Sequence, residues 1–385
     1  MHRGLLLTFL AISSVAGIDI IPALNPGCNE CLSNENVLVY TKVPQSDTKY
    51  DLHQIWDFTG SNPTVIYIIT NQNSTLEIEW DHRIPISINT STPAIYNFAI
   101  SITNLFEYDD CNDTVFFNYK QPYRNVSLTH VTWVLQESVM TDIQASVVVH
   151  GSLHGEKNGT NGTVEINFQL MSSETRWEEL PRLFLSPRST LVDVGLVGLT
   201  PFCEYEAARY AVRYVVISQD CTTGKLEYMV HKTIDDEYTP GVFEMIDLLT
   251  PSSNWNASGG YLQYRPVAYT ARQRSVGSSV QASMHTINKA SIPSGSLAKR
   301  YFGSFEPGTL LVQEAVASFG DRGDGYYRQT NYTAWTLTMG YGLPETERTS
   351  SFLTGALVVG LVVPSAVLVG MTFVSVWLVS RARRN

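Results

Sequence analysis

Residues 353–379 read LTGALVVGLVVPSAVLVGMTFVSVWLV, twenty-seven positions in a row without a charge. About twenty apolar residues cross the hydrocarbon core of a bilayer as a helix. At ~1.5 Å per residue this run reaches about 40 Å, enough to cross with some tilt. A helix in a soluble core shows a polar face over such a length. The run therefore predicts a transmembrane helix, and every other segment belongs to one side of the membrane or the other.

The two ends decide which side. Met1-His2-Arg3 is a short positive region, Leu5 to Ile12 is apolar, and Ser14-Val15-Ala16 offers small residues at cleavage positions. This is the pattern of a secretory signal peptide, with cleavage expected after Ala16 or Gly17. Arg381, Arg383 and Arg384 follow the apolar run, whereas Glu345 and Glu347 precede it. Positive flanks stay cytosolic. The expected layout is a signal at 1–16, a lumenal region at 17–352, the span at 353–379 and a cytosolic tail at 380–385, a single-pass type I protein. Between signal and span lie 22 basic and 36 acidic residues, a formal charge of −14. Such a surface argues against nucleic acid or anionic lipid as the ligand.

Eight Asn-x-Ser/Thr sequons fall in that region, at Asn73, Asn89, Asn112, Asn125, Asn158, Asn161, Asn256 and Asn331. In a secreted chain each can carry a bulky surface glycan.

The lumenal region reads as short runs of β-branched and aromatic residues broken by Gly, Pro, Asn and Ser. Runs are expected at Val37–Val43, Thr64–Thr70, Thr75–Trp80, Thr114–Tyr119, Ile143–His150 and Thr163–Leu170. Others are expected at Leu191–Leu199, Tyr210–Ser218, Leu226–Lys232, Leu262–Thr270, Thr309–Val316 and Ala334–Met339. Thr163–Leu170 alternates polar and apolar, one face in and one face out. Val242–Leu249 is the best candidate for a short helix. The fold class is all-β, an antiparallel β-sandwich lumenal region (one enlarged or two packed sandwiches) with a single C-terminal transmembrane helix. The polar stretch 172–189 is the candidate internal boundary.

Cys28, Cys31, Cys111, Cys203 and Cys221 are disulfide candidates in an oxidising lumen. Cys28-Asn29-Glu30-Cys31 also has the form of a redox or zinc motif, but no second Cys or His pair stands at zinc spacing. Cys203 and Cys221 flank the Tyr210–Ser218 strand. A straight strand of that length puts its ends about 30 Å apart, beyond the ~7 Å between Cα atoms that a bridge tolerates.

The sequence shows no G-x-S-x-G, H-E-x-x-H or phosphate-loop motif. His150 and His154 share a face at a spacing of four but lack a third ligand, so solvated histidines are expected. Asp235-Asp236-Glu237 is the densest carboxylate group; neighbours on a strand point to opposite faces, which suits an acid/base pair poorly. Arg322-Gly323-Asp324 is an RGD tripeptide in a glycine-rich loop, readable as an adhesion site or as a turn. Lys299-Arg300 is a dibasic pair. Catalytic, cofactor and metal residues are expected to be absent.

A family resemblance enters with Thr233 to Tyr269. The series Ile234-Asp235-Asp236-Glu237-Tyr238-Thr239-Pro240-Gly241-Val242-Phe243, then Asp247-Leu248-Leu249, then Arg265-Pro266-Val267-Ala268-Tyr269, resembles the glycosylated lysosomal membrane protein family. Trp56, Thr70-Asn71, Ser74-Thr75-Leu76, Trp80, Phe302-Gly303-Ser304, Tyr332, Trp335, Gly340, Gly342 and Pro344 fit in the same order. The resemblance implies a non-enzymatic protein of the lysosomal membrane. It implies an accessory subunit of a multi-pass major-facilitator transporter for dipeptides, shielding that partner from lumenal proteases. A homodimer is a further expected partner arrangement. The readings set against it are a lumenal hydrolase using a carboxylate pair and an RGD-bearing adhesion protein. Vertebrate members carry a tyrosine-based sorting signal in the tail, but Ser380–Asn385 holds neither Tyr nor dileucine, so a lysosomal address would come from the partner. Within the span, Ala356, Gly360, Pro364, Ala366 and Gly370 place small residues near four-residue spacing, where a neighbouring helix can approach closely.

Overall fold

The computed structural model describes residues 18–384 apart from 32–33, 45–48, 61, 156–159, 220–223, 234–237, 252–258, 307 and 347–350. The expected signal peptide, Cys221, Asn158, Asn256 and the Asp235-Asp236-Glu237 triplet lie outside the described residues. Twenty-two strands are described: β1 (Ile21–Leu24), β2 (Leu38–Pro44), β3 (Tyr50–Asp57), β4 (Thr64–Asn71), β5 (Leu76–Asp81), β6 (Ile84–Thr90), β7 (Ala94–Asp109), β8 (Tyr123–Ser127), β9 (Trp133–Met140), β10 (Gln144–Leu153), β11 (Gly162–Met171), β12 (Thr175–Arg176), β13 (Phe184–Leu185), β14 (Ser189–Val197), β15 (Ala208–Ser218), β16 (Glu227–Lys232), β17 (Glu244–Leu249), β18 (Gly259–Tyr264), β19 (Val267–Tyr269), β20 (Ser279–Lys289), β21 (Leu311–Phe319) and β22 (Tyr332–Gly342).

All pairings are antiparallel. One layer runs β1-β2-β3-β4-β7-β15-β21-β20, with β8 on β7 beyond the reach of β4. The other runs β9-β10-β11-β14-β22-β18-β17-β16. β19 pairs with β20 of the first layer and β22 of the second, sewing the layers together. The Glu35–Val134 bridge makes a second, smaller stitch at the opposite edge. The result is a nearly closed, enlarged sandwich.

The interior follows from alternation. In β11, Val164, Ile166, Phe168 and Leu170 face inward while their neighbours face out, as the Thr163–Leu170 pattern predicts. Phe168 meets the Trp56 ring at 5.6 Å and Phe58 at 5.1 Å, while Trp335 is enclosed by Tyr214, Tyr264 and Phe319. Each such side chain contributes about 1.5–3 kcal/mol on burial. The Tyr67 hydroxyl of β4 donates to the Met339 carbonyl of β22 at 2.8 Å, a polar link between layers. Outside the first layer, the β5–β6 hairpin and helix α1 (Leu297–Phe302) cover Ile55, Ile66 and Ile68 and make a second apolar layer. The 172–189 segment holds the β12–β13 pair and joins β11 to β14, which are hydrogen-bonded neighbours.

Three expectations are corrected. Val242–Leu249 is not helical: its last six residues are β17, fixed between β16 and β18, so tertiary pairing overrides the Glu, Met and Leu helix preference. Thr114–Tyr119 is not a strand. The Asp110 carboxylate accepts hydrogen bonds from the Thr114 and Val115 amides and turns the chain there, with Val115 at φ 72°. Leu262–Thr270 is two strands rather than one. Pro266 lacks the amide donor a continuous strand needs, and the chain steps from β18 to β19 at that point.

One described helix is long and apolar enough to cross a membrane, Thr354–Ala382. It comprises part of α3 (Ser351–Leu357), a π-turn at Val358–Val362 and α4 (Val363–Ala382). Pro364 cannot donate to a residue one turn back, and the wider turn precedes it. The hydroxyls of Ser365, Thr372 and Ser375 donate to the helix's own carbonyls, which leaves little unmet polarity in lipid.

Candidate interaction surface

The body has two unlike ends. β22 rises from the segment leading to the membrane helix at Gly342 to Tyr332, eleven residues or about 35 Å away. Four described sequon asparagines gather at the Tyr332 end. Asn331 immediately precedes β22, and its carbonyl takes the Gly198 amide. The Asn161 carbonyl takes the Thr200 amide next to it. Asn112 and Asn125 lie on the neighbouring β7–β15 end, where Ala208 pairs with Asp109 and Asn125 with Phe106. Asn73 and Asn89 lie toward the other end, beside Asp51 and the β5–β6 hairpin. All six described sequon asparagines are exposed.

At the Gly342 end the second layer finishes in β16, which among the described residues pairs with β17 alone. Every β16 residue is exposed, and Tyr228 (47 %), Met229 (41 %) and Val230 (46 %) are apolar. Sheet edges are normally blunted by charge or cover; here only Glu227 and Lys232 at the strand ends do so. The chain beyond β22 folds back over this sheet. The Gln263 amide donates to the Glu345 carbonyl and to Asp247, each at 3.0 Å, and His231 Nε2 reaches Asp247 Oδ2 at 2.8 Å. Burial pushes the Asp247 carboxyl up, against its bonds to Gln263 and His231. A shallow cleft of about 360 Å³ results, bounded by Met229, Met245, Leu249, Leu343 and Pro344. Leu343, 71 % exposed, continues the apolar edge toward the membrane helix. Sequence reading missed this surface. Its one signal is that Leu226–Lys232 puts apolar residues on both strand faces.

The other expected sites fare differently. Cys28 and Cys31 form a disulfide with Cα atoms 5.6 Å apart, which leaves no thiol pair for a metal. Cys111 and Cys203 are exposed and unbridged. A hydrogen bond to Asp109, 2.9 Å away, raises the Cys111 thiol and makes it a poor nucleophile. His150 lies on the outer face of β10 beside Glu165, which Arg272 clasps with both terminal nitrogens. His154 lies past the strand end in a different cleft, so the two histidines do not share a site. No group of three metal-binding side chains occurs among the described residues. Asp324 of the RGD tripeptide is turned into the body, where its carboxylate accepts from Arg209 and from the Asp321 and Tyr326 amides. Lys299 and Arg300 lie in helix α1, with Arg300 donating to the Pro85 carbonyl.

The motif region is architectural. Tyr264 packs on Trp335, Arg265 is buried and donates to the Val242 carbonyl at 2.8 Å, and Val267–Tyr269 is β19 itself. The Thr239 hydroxyl donates to the Pro181 carbonyl and ties in the β12–β13 turn.

A β-sandwich body carrying sugar-acceptor sites and followed by one membrane-crossing helix defines a class, the single-span membrane glycoproteins. Within it, this chain belongs to the glycosylated lysosomal membrane protein family, whose model matches residues 37–385. It is 26 % identical over 364 residues to glycosylated lysosomal membrane protein A of Xenopus laevis, covering 91 % of this chain and 87 % of that one. The Homo sapiens protein is 26 % identical over 337 residues, covering 84 % and 80 %. The Danio rerio protein is 25 % identical over 343 residues, covering 84 % and 81 %. These relatives are named for membrane and glycosylation, not for a reaction.

Proposed function

We propose that this protein is a non-enzymatic accessory subunit of a multi-pass transporter of the lysosomal membrane, of the dipeptide-carrying major-facilitator type. Its body stands in the lumen, shields the partner from proteases and supports its stability. The observation that carries this reading is the opposition of the two ends. Sugar-acceptor asparagines crowd the end far from the membrane helix, and an open apolar edge lies beside the segment leading into that helix. Glycans keep proteases off the outer end, and the β16 edge meets a partner held in the same membrane.

Affinity purification of the intact protein in mild detergent tests the reading. A multi-pass transporter should co-purify, and depleting this protein should lower that transporter's level unless lysosomal proteases are inhibited. Recovery of a second copy of this chain alone, with unchanged transporter levels, would replace the proposal by a homodimer.

A further inference from the structure

A second cleft, of about 470 Å³, opens at the outer end of the body between β8 and the end of β10. Its volume is that of a small-ligand site, ~300–1,000 Å³. One wall is the edge of β8 that faces away from β7, presented by Arg124, Asn125 and Ser127. Ser152, His154 and His130 also line the cleft. Hydroxyls, imidazoles and a guanidinium among short apolar patches (Val126, Val131) suit the hydroxyl-bearing faces of a sugar better than an apolar ligand.

Asn125 and Ser127 are the first and third residues of one sequon, and both line this cleft. The Asn125 Oδ1 accepts from Asn104 Nδ2 at 2.7 Å, which leaves the amide nitrogen, the atom that carries sugar, outside that bond. The wall is built from within. Buried Glu107 accepts from Thr160 at 2.8 Å and lies 3.5 Å from Arg124, whose guanidinium rests 4.4 Å from the Phe202 ring. On the opposite lip, Asn161 Oδ1 holds the Gly155 amide at 3.0 Å.

We propose that this cleft is a carbohydrate site whose occupant is the inner, N-acetylglucosamine part of the chain's own Asn125-linked glycan. Sugar is added before β8 finds β7, and on folding its first units lie along the open β8 edge between Ser127 and His154. Held there, they cover a strand edge that would otherwise pair with another chain. The glycan at Asn125 is thus a packed part of the fold, unlike the free-standing acceptor at Asn331.

The proposal rests on lumenal glycosylation and is tested on the full-length protein from glycosylating cells. Peptide N-glycosidase F is applied without denaturant, and release is followed site by site by mass spectrometry. Release at Asn125 should lag that at Asn331 by about tenfold, the equivalent of one net hydrogen bond. The double variant Ser152→Ala, His154→Ala keeps the sequon and should abolish most of the lag. In Asn125→Gln, backbone amides of 124–127 should exchange hydrogen faster. Equal release rates in the unaltered protein, or a lag that survives the double variant, would overturn the inference. So would an unoccupied Asn125 with sugar at Asn331. Sugar at no sequon would overturn the lumenal placement as well.

Discussion

Arg209 Nη1 donates to Asp324 Oδ2 at 2.8 Å, and the guanidinium is 2 % exposed. The same guanidinium reaches Asp110 at 2.9 Å and Asp113 at 2.7 Å. Gly320, at φ 142°, passes so close that a Cβ there would lie 2.0 Å from Nη1. The RGD loop is therefore folded around an internal arginine. Burial opposes ionisation of Asp324, but hydrogen bonds from Arg209 and two amides outweigh it and hold the carboxyl below its usual range.

Asp324→Ala should cost about 2–4 kcal/mol in a denaturant melt. That is below the ~3–5 of a wholly buried pair, because Arg209 keeps Asp110 and Asp113. Since the Asp324 carboxyl is depressed in the fold, its contribution is present above the ordinary value near 4 and fades only as pH falls through the lower folded value. It survives at mildly acidic pH. Cells should attach no better to the parent protein than to the variant; RGD-dependent attachment would refute the inward placement.

His53 should make the body less stable in acid. Burial, with the charge of Lys42 adding to it, lowers its pKa to about 4. The unfolded chain then takes the proton first, near 6.5, so stability present above that value is lost as pH falls toward 4, by about 2 kcal/mol at pH 5. His53→Gln retains hydrogen-bonding groups for Tyr40 and Thr70 and should flatten the melting difference between pH 7 and pH 5. An undiminished slope would point to another group.

Asp247 has the opposite sign. Its carboxyl is raised by burial, so its contribution is full below the ordinary carboxylate value and is lost as pH rises through the folded one. Asp247→Asn should therefore stabilise the body more at pH 7 than at pH 4. Calorimetry at the two values decides; equal shifts at both would contradict the raised carboxyl.

Trp335→Ala should cost about 3–5 kcal/mol, because three ring contacts vanish at the seam and the surrounding layers cannot collapse onto the gap. The expected sign is a lower unfolding midpoint with an unchanged denaturant slope.

If the proposed transporter assembly forms through the exposed edge, Val230→Lys should leave stability within about 0.5 kcal/mol while releasing the partner. Retention of the partner at parental levels would move the contact surface elsewhere.

Legibility tracked how each residue earns its place. Thr163–Leu170 was readable because one face is wet and the other dry, and the membrane run because nothing in it is polar. β7, sixteen residues long, escaped reading: it is covered on both faces, by the interior and by Phe117 and Tyr119 outside, so alternation is erased. β17 looked helical because pairing partners far along the chain, not its own residues, decide its state. The inward turn of Asp324 depends on Arg209, 115 positions away, and no local pattern announces it. The β16 surface was hidden for the same reason, since exposure is a property of what fails to cover a strand.

β19 is three residues long, yet it holds hydrogen bonds to both layers. A sandwich with a loose seam can part its sheets and offer single strands to a protease while most of the fold persists. With the seam closed, strand release requires the whole cooperative unit to open, and cleavage then follows the global unfolding equilibrium rather than local fraying. The lifetime of this body among proteases is thereby set by one number, its overall free energy of unfolding, and a weakened β19 would shorten that lifetime well before the protein ceased to fold.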